Sequence, residues 1–323
     1  MFGLKSDWAL EPPTRYFTLE SYEGAVARWC TGCGDFAVLT AVQKICRDVQ
    51  AVPEKTVFVS GIGCSSRLPH YMKTYGFHGL HGRALPVAQG VKSRRPDLDV
   101  WVTTGDGDCT SIGAGHWIHA IRYNMKMVIM LLDNNIYGLT KKQTSPTTPI
   151  GLKTNTHPKG AFLPPLNPLA ATLGFTNVSF VAQTVDWNPV HLFNTLELAH
   201  RHNGTAFVRI LQRCPTYTED VFAKQREDPT SLLLLRHDKG VKTDDTLTRL
   251  YKNQQAHDPS DINAARAIAD REDVTPIGLL FRDESRPRYN EFTAQGLEMS
   301  VEQKLEGLRE AIDAFAVRSA PPV

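Results

Sequence analysis

VWVTTGDGDCTSIGAGHWIHAIRYNMKMVIMLLDNN, residues 100–135, is the stretch on which the fold turns. It opens on a β-branched run that ends in GDGD (105–108), passes through SIGAGHWIHAIRYN, whose apolar residues recur at helical spacing, and closes on a second apolar run, MVIMLLDNN. Strand, helix and strand in that order make a βαβ unit, with the two strands parallel and the helix crossing between them. Both runs are apolar without alternation, so the sheet is predicted to be buried on both faces.

Working outward, DFAVLTAVQKICRDV predicts a helix beginning near Gly34, with Val38, Val42, Ile45 and Cys46 on its apolar face. TVFVSG (56–61) reads as a strand and RALPVAQGVKSRR as a helix. Downstream, further units follow in the same style, with NPVHLFNTLELAHRHNG as a helix and TAFVRILQRC as a strand. The expected architecture is an α/β doubly wound, mostly parallel sheet, complete by Cys214. The texture then changes: RHDKGVKTDDTLTRLYKNQQAHDPSD is polar and aperiodic and predicts an exposed connection or arm. PIGLLF (276–281) is a short apolar run, and Leu297, Val301, Leu305, Leu308, Ile312 and Phe315 form a stripe at helical spacing. The chain is thus divided into a domain over 1–225 and a C-terminal extension over 226–323, a polar arm plus a helix.

A length of 323 residues with 41% apolar composition supports a sizeable core. With 36 basic against 34 acidic residues the net charge is +2, which argues for neither a nucleic-acid footprint nor an acidic tail and favours small-molecule chemistry. No stretch approaches the ~20 consecutive apolar residues of a membrane span. Residues 1–20 carry proline and charge where a signal peptide's apolar core would lie, so the expected location is cytoplasmic. Six cysteines are too few for a disulfide scaffold at this length. Cys30 and Cys33 form a C-x2-C pair, Cys64 follows a strand in GIGCSS, and Cys214 ends another in FVRILQRCP, whereas Cys46 reads as core.

The chemistry concentrates in GDGD and in Asn134–Asn135, which end neighbouring strands of the unit quoted above. Glycines let a backbone approach phosphates, and the helix that follows offers free amides and the positive end of its dipole. A hard Mg2+ takes carboxylate, amide and carbonyl oxygens, so Asp106, the Asn134 side chain and the Ile136 carbonyl are the natural ligands for a diphosphate-bound metal. Either motif alone is a common turn. Together, at the carboxyl ends of parallel strands where open α/β sheets bind ligands, they point to a diphosphate–magnesium site. Four thiols at these positions suit an iron–sulfur cluster, a structural Zn2+, or no metal at all.

The spacing of GDG and NN resembles the thiamine-diphosphate motif. The runs WCTGCGD, GIGCSSRLPHY, LHGRALPVAQGVK, GDGDCTSIGAGHWIHAIR and LLDNNIYGLTKKQTSPTTP cover residues 28–150 nearly continuously and resemble the β subunits of 2-oxoacid:ferredoxin oxidoreductases. The resemblance resumes weakly to Cys214, and PIGLLFRDESRPRY is similar to the end of the 2-oxoglutarate-type β subunits. It implies a [4Fe-4S] cluster on Cys30, Cys33, Cys64 and Cys214. It implies thiamine diphosphate with Mg2+ on Asp106, Asn134 and the Ile136 carbonyl. Gly105, Gly107, Asp108, Gly138, Leu139 and Thr140 would lie around the diphosphate and rings, and Gly63, Cys64, Ser65 and His81 would flank the cofactor. Arg67 matches the position where a basic residue meets the substrate carboxylate, a role that suits a guanidinium. Cys109 departs from the family's small apolar residue and reads as core.

The implied reaction is oxidative decarboxylation of a 2-oxoacid, 2-oxoglutarate above all, with coenzyme A, giving acyl-CoA, CO2 and reduced ferredoxin, and reversible toward CO2 fixation. Thiamine activation requires a glutamate that no motif of this chain supplies. The resemblance assigns it to a partner α subunit, so the active site is expected at an α/β interface in an αβ or (αβ)2 assembly. The alternatives are a pyruvate-type or broad-specificity relative, a non-oxidative thiamine-dependent decarboxylase with a structural metal, and a non-catalytic iron–sulfur or zinc protein.

Overall fold

After Gly34 the amphipathic run winds into α1 (Asp35–Asp48) and buries Val38, Val42, Ile45 and Cys46 in the computed structural model, which describes residues 16–294 and 300–315. The five residues of β1 (Thr56–Ser60) are all buried, as expected for a strand covered on both faces. A 3-10 segment over Ser65–Tyr71 leads to the short strand β2 (Tyr75–His78), all of it exposed. Then come α2 (Ala84–Arg94), β3 (Asp99–Gly105), α3 (Ala114–Tyr123) and β4 (Met127–Asp133). Asn124 ends α3 in the left-handed conformation (φ 51°), which asparagine tolerates better than most residues.

A small hairpin of β5 (Ile136–Tyr137) and β6 (Gln143–Thr144) precedes α4 (Pro168–Gly174), β7 (Phe180–Val185), α5 (Pro189–Arg201) and β8 (Thr205–Leu211). Asn167 and Asn188 cap α4 and α5, each followed by a proline at the first helical position, where no amide is needed.

The sheet does not stop at Cys214. After α6 (Ala223–Glu227), three more strands join it: β9 (Leu232–Arg236), β10 (Gln254–Ala256) and β11 (Thr275–Arg282), with α7 (Asp245–Leu250) and α8 (Ile262–Ala269) between them. The expected polar arm is therefore structured, and the PIGLLF run is the middle of a sheet strand. Its polarity misleads because the buried groups are few and local. Leu232 to Leu235, Leu247 and Tyr251 are buried, while the polar residues around them face outward or cap helices, as Asp244 and Asp261 do.

The nine strands run in the order β10-β9-β11-β7-β8-β4-β3-β1-β2. Six are parallel; β11 pairs antiparallel with β7 and brings β9 and β10 in with it, its register shifting between Leu279 and Phe281. Alternate residues feed the two larger cores, and a smaller third cluster gathers Val185, Leu211, Leu234 and Ile277. Val57 and Val59 pack with α2, α3, α4 and α8 residues such as Leu85, Trp117, Leu173 and Ile268. Phe58 and Trp101, stacked at 5.8 Å, join α1 and α5 through Val42, Ile45 and Leu196. The chain leaves β1 outward to β2 and returns across it to β3, so the strand order reverses between β1 and β3. A crevice opens there at the strands' carboxyl ends.

One compact unit runs to Arg288 and a second begins at Tyr289. The second contains α9 (Tyr289–Ala294) and α10 (Val301–Asp313), the latter opened by a capping box between Ser300 and Gln303. Val301, Leu305, Leu308, Ile312 and Phe315 of the predicted stripe are exposed. Leu297 lies outside the described residues.

Candidate active site

The loops leaving β1, β3 and β4 close around a cavity of about 250 Å3. Gly63, Cys64 and Ser65 come from the first; Gly105, Asp106, Gly107 and Asp108 from the second; Asn134, Ile136, Gly138, Leu139 and Thr140 from the third and its hairpin; and His81 from the segment before α2. All thirteen residues expected around a cofactor line this one space. Ile62, Leu132, Tyr137 and Gln143 line it too and carried no signal in the sequence beyond adjacency to the motifs.

Asp106 is 2% exposed. Ser145 and Thr147 donate hydroxyl hydrogen bonds to its Oδ2 at 2.5 and 2.7 Å, and no described side chain donates to Oδ1. Burial, then the neighbouring Asp133, push its carboxyl well above the usual range. The two acids are treated differently. Asp133 has Arg209, whose Nε and Nη2 reach its Oδ2 at 2.8 and 2.7 Å, whereas Asp106 has no cationic partner among the described residues.

The two asparagines divide their work. Asn134 donates from Nδ2 to Gln212 Oε1 at 2.8 Å and accepts the Ile136 amide on Oδ1 at 3.3 Å. Asn135 sits at φ 59° and donates from Nδ2 to Asp133 Oδ1 and to the Thr147 carbonyl, which fixes the turn out of β4. Tyr137 donates to the Gly107 carbonyl at 2.9 Å, and its ring covers Gly107 so closely that a Cβ there would lie 2.2 Å from the ring.

Asp108, read from the sequence as a neighbour of the diphosphate, lines the cavity but has its carboxylate fully engaged. Oδ1 accepts from the Gly82 amide (2.6 Å), the Ile62 amide (3.2 Å) and His81 Nδ1 (2.5 Å), and Oδ2 accepts from Thr104 at 2.7 Å. With backbone donors already on that carboxylate, His81 carries its proton on Nδ1. The other ring nitrogen, Nε2, takes no part in that bond. Gly61 makes room for this: a Cβ there would lie 2.1 Å from Asp108 Oδ2.

The loops that carry Cys30 with Cys33, Cys64, and Cys214 are tied together by two hydrogen bonds. Trp29, beside Cys30, donates its indole N–H to the Cys64 carbonyl at 2.7 Å, and Gly34 donates to the Arg213 carbonyl at 3.1 Å, next to Cys214. Burial, then Asp35, push the Cys64 thiol up to about 12, with further contributions from Cys214 and Cys30, and Cys33 is raised in the same way by burial and Asp35. A Cβ on Gly138 would lie 3.7 Å from Cys64 Sγ, so this sulfur borders the cavity itself. Among the described residues no three His, Cys, Asp or Glu side chains are spaced to hold a single metal ion. Cys109 is 2% exposed and packs in the core, as does Cys46.

Arg67 is not among the cavity's lining residues. The 3-10 segment turns it over the Tyr71 ring, 5.8 Å from its centroid, and toward the Arg28 carbonyl at 3.5 Å.

Residues 61–210, which carry every loop of the cavity, match the family described as "Thiamine pyrophosphate enzyme, C-terminal TPP binding domain". Residues 246–296 match the family of the C-terminal part of the pyruvate ferredoxin oxidoreductase beta chain. The chain is 38% identical to the 2-oxoglutarate oxidoreductase subunit KorB of Mycobacterium tuberculosis, over 82% of this chain and 77% of that one. It is 36% identical to the 2-oxoacid:ferredoxin oxidoreductase subunit beta of Saccharolobus solfataricus, over 83% and 85%. Its fold matches the 2-oxoglutarate:ferredoxin oxidoreductase from Magnetococcus marinus, solved with 2-oxoglutarate, coenzyme A and succinyl-CoA bound, at a TM-score of 0.75 and 34% identity, covering 92% of this chain and 91% of that one.

Proposed function

The chain belongs to the family of 2-oxoacid:ferredoxin oxidoreductase β subunits, and on that premise we propose that its cavity holds thiamine diphosphate through Mg2+, beside a [4Fe-4S] cluster on Cys30, Cys33, Cys64 and Cys214. The protein is an oxidoreductase subunit that acts with an α subunit in the oxidative decarboxylation of a 2-oxoacid, 2-oxoglutarate first, with coenzyme A as acyl acceptor. Ferredoxin is the proposed electron acceptor and an αβ unit, alone or paired, the proposed assembly. No described helix is long and apolar enough to cross a membrane. A cytoplasmic setting, where thiols stay reduced, suits a thiolate-held cluster.

The donor set fits. Asp106 is a buried acid without a cationic partner among the described residues, and Asn134 presents an amide oxygen from the adjacent strand end. Together with the Ile136 carbonyl they offer the three kinds of oxygen a magnesium ion takes. When bound, thiamine supplies the electron sink that decarboxylation needs and the cluster accepts electrons singly. The remaining work falls to this chain. Tyr137 fixes the Gly107 carbonyl and seals one side of the diphosphate seat. Asp108 holds His81 by Nδ1, leaving Nε2 to accept or hold a proton in the cavity. Arg67, three residues beyond Cys64, is the proposed partner of a substrate carboxylate entering from that side.

One observation carries the reading: the cavity with the uncompensated acid Asp106 in its lining has a cysteine thiol, Cys64, in its wall. Anaerobic purification with the co-expressed α partner, followed by iron, sulfide, zinc and thiamine analysis, tests it. The expected result is about four irons and four sulfides for this chain's site, bound thiamine diphosphate, loss of that iron on Cys214→Ala, and ferredoxin reduction that is faster with 2-oxoglutarate than with pyruvate. Zinc in place of iron would remove the electron-transfer role, and absence of thiamine would overturn the whole reading.

A further inference from the structure

Gln212 is 1% exposed and sits just beyond β8, two residues before Cys214. Its backbone amide donates to the Asp133 carbonyl at 2.9 Å, so its position is fixed by the strand end that also carries Asn134. Its side chain faces two ways. Oε1 accepts from Asn134 Nδ2 at 2.8 Å, and Nε2 donates to Cys33 Sγ at 3.3 Å as well as to the Arg213 carbonyl. The direction of this chain of bonds is set by its far end. Asn134 Oδ1 takes the Ile136 amide, so the Asn134 NH2 faces Gln212, Gln212 must present its oxygen, and the Gln212 NH2 is turned to the sulfur.

We propose that Gln212 is a positioning residue that couples the two cofactor sites, tuning the iron–sulfur cluster according to whether the thiamine diphosphate site is loaded. The proposal rests on the assignment of Asn134 to Mg2+ and of Cys33 to the cluster. An N–H donor on a cluster thiolate draws charge from the sulfur, stabilises the reduced cluster and raises its potential. A cation at Asn134 Oδ1 polarises that amide and strengthens its N–H bond to Gln212 Oε1. This polarises the Gln212 amide in turn and strengthens its bond to Cys33. Loading the cofactor therefore makes the cluster a better electron acceptor at the moment when electrons become available. An empty site leaves it a weaker one.

The test is an EPR-monitored redox titration of the co-purified αβ complex, with Mg2+ and thiamine diphosphate bound and after their removal with EDTA. Gln212→Glu keeps the acceptor for Asn134 and deletes the N–H···S donor; Gln212→Met keeps the length and deletes both. The expected result is a potential in both variants more negative than in the unsubstituted complex, and a positive shift on cofactor loading that is clearly smaller in the variants. Equal potentials, or a loading shift of the same size in all three, would overturn the coupling while leaving the assignment of function intact. Loss of iron from both variants, with the unsubstituted complex fully loaded, would reduce Gln212 to a structural plug and overturn it as well. An unsubstituted complex with neither iron nor thiamine would bring down the assignment of function, and the coupling with it.

Discussion

Asp106 and Asp133 lie together in the interior, yet only one of them has an arginine. A buried acid left in this condition favours protonation unless a cation arrives. Asp106→Asn, which keeps the shape and removes the charge, is expected to weaken Mg2+-dependent thiamine diphosphate binding on the order of 100-fold, read by cofactor titration of the αβ complex. Asp108 predicts a different outcome because it never faces the cofactor as a free carboxylate. Asp108→Asn disturbs the Ile62, Gly82, His81 and Thr104 bonds at once, so kcat is expected to fall about 10- to 100-fold with cofactor affinity largely kept. Arg67→Gln should raise KM for the 2-oxoacid about tenfold with little change in kcat, the signature of a lost carboxylate contact. An unchanged KM would confine Arg67 to its place over Tyr71.

At the scale of elements, glycine positions separate those that make room for the site from those that do not. Gly61→Ala forces a Cβ to within 2.1 Å of Asp108 Oδ2 and is expected to cost about 1–3 kcal/mol, with loss of the His81 anchor. Gly90, inside α2 with nothing within 4 Å of an added Cβ, should be stabilised by about 0.5–1 kcal/mol on substitution to alanine. Thermal unfolding of both variants checks the contrast. The quoted βαβ unit and its neighbours were legible because continuous apolar runs and helical spacing are direct images of burial. So was most of the cavity, since GDGD and NN occupy the ends of strands that are hydrogen-bonded neighbours. The strands β9 to β11 were not legible: β10 is three residues long and buries almost nothing, so its place in the sheet depends on pairing with β9, which no local pattern encodes. Gln212 was missed for a related reason. A glutamine at a strand end carries no motif, and its role comes only from the two loops that meet on it.

For the molecule as a whole, buried histidines and buried acids pull the response to acid in opposite directions: burial raises Asp35 and Asp106 to about 7, so the penalty each carries at neutral pH is relieved as the pH falls. His191 and His202 are each held at about 4, below the ordinary 6.5, chiefly by burial. Between pH 6.5 and 4 the unfolded chain takes up protons that the folded chain refuses. The two histidines therefore weaken the fold as the pH falls through that window, and above it neither of them contributes. Each shift corresponds to at most about 3 kcal/mol. His191→Gln, which leaves an acceptor near Thr184, removes one of the two histidine contributions, so between pH 7 and pH 5 the thermal midpoint of the variant is expected to move upward relative to that of the unsubstituted chain; a difference that does not change with pH would remove His191 from the acid response.

The antiparallel join between β7 and β11 also sets a timetable for synthesis. About 90 residues separate the two strands, so at ribosomal speed β7 emerges roughly 5–20 s before the strand that will cover its edge. During that interval the nascent chain presents an unpaired rim of Phe180 to Val185, all six residues of which are buried once the protein is finished. A message truncated near codon 225 would make that interval permanent. Such a product should pellet rather than remain in solution, even though it contains every residue of the cavity.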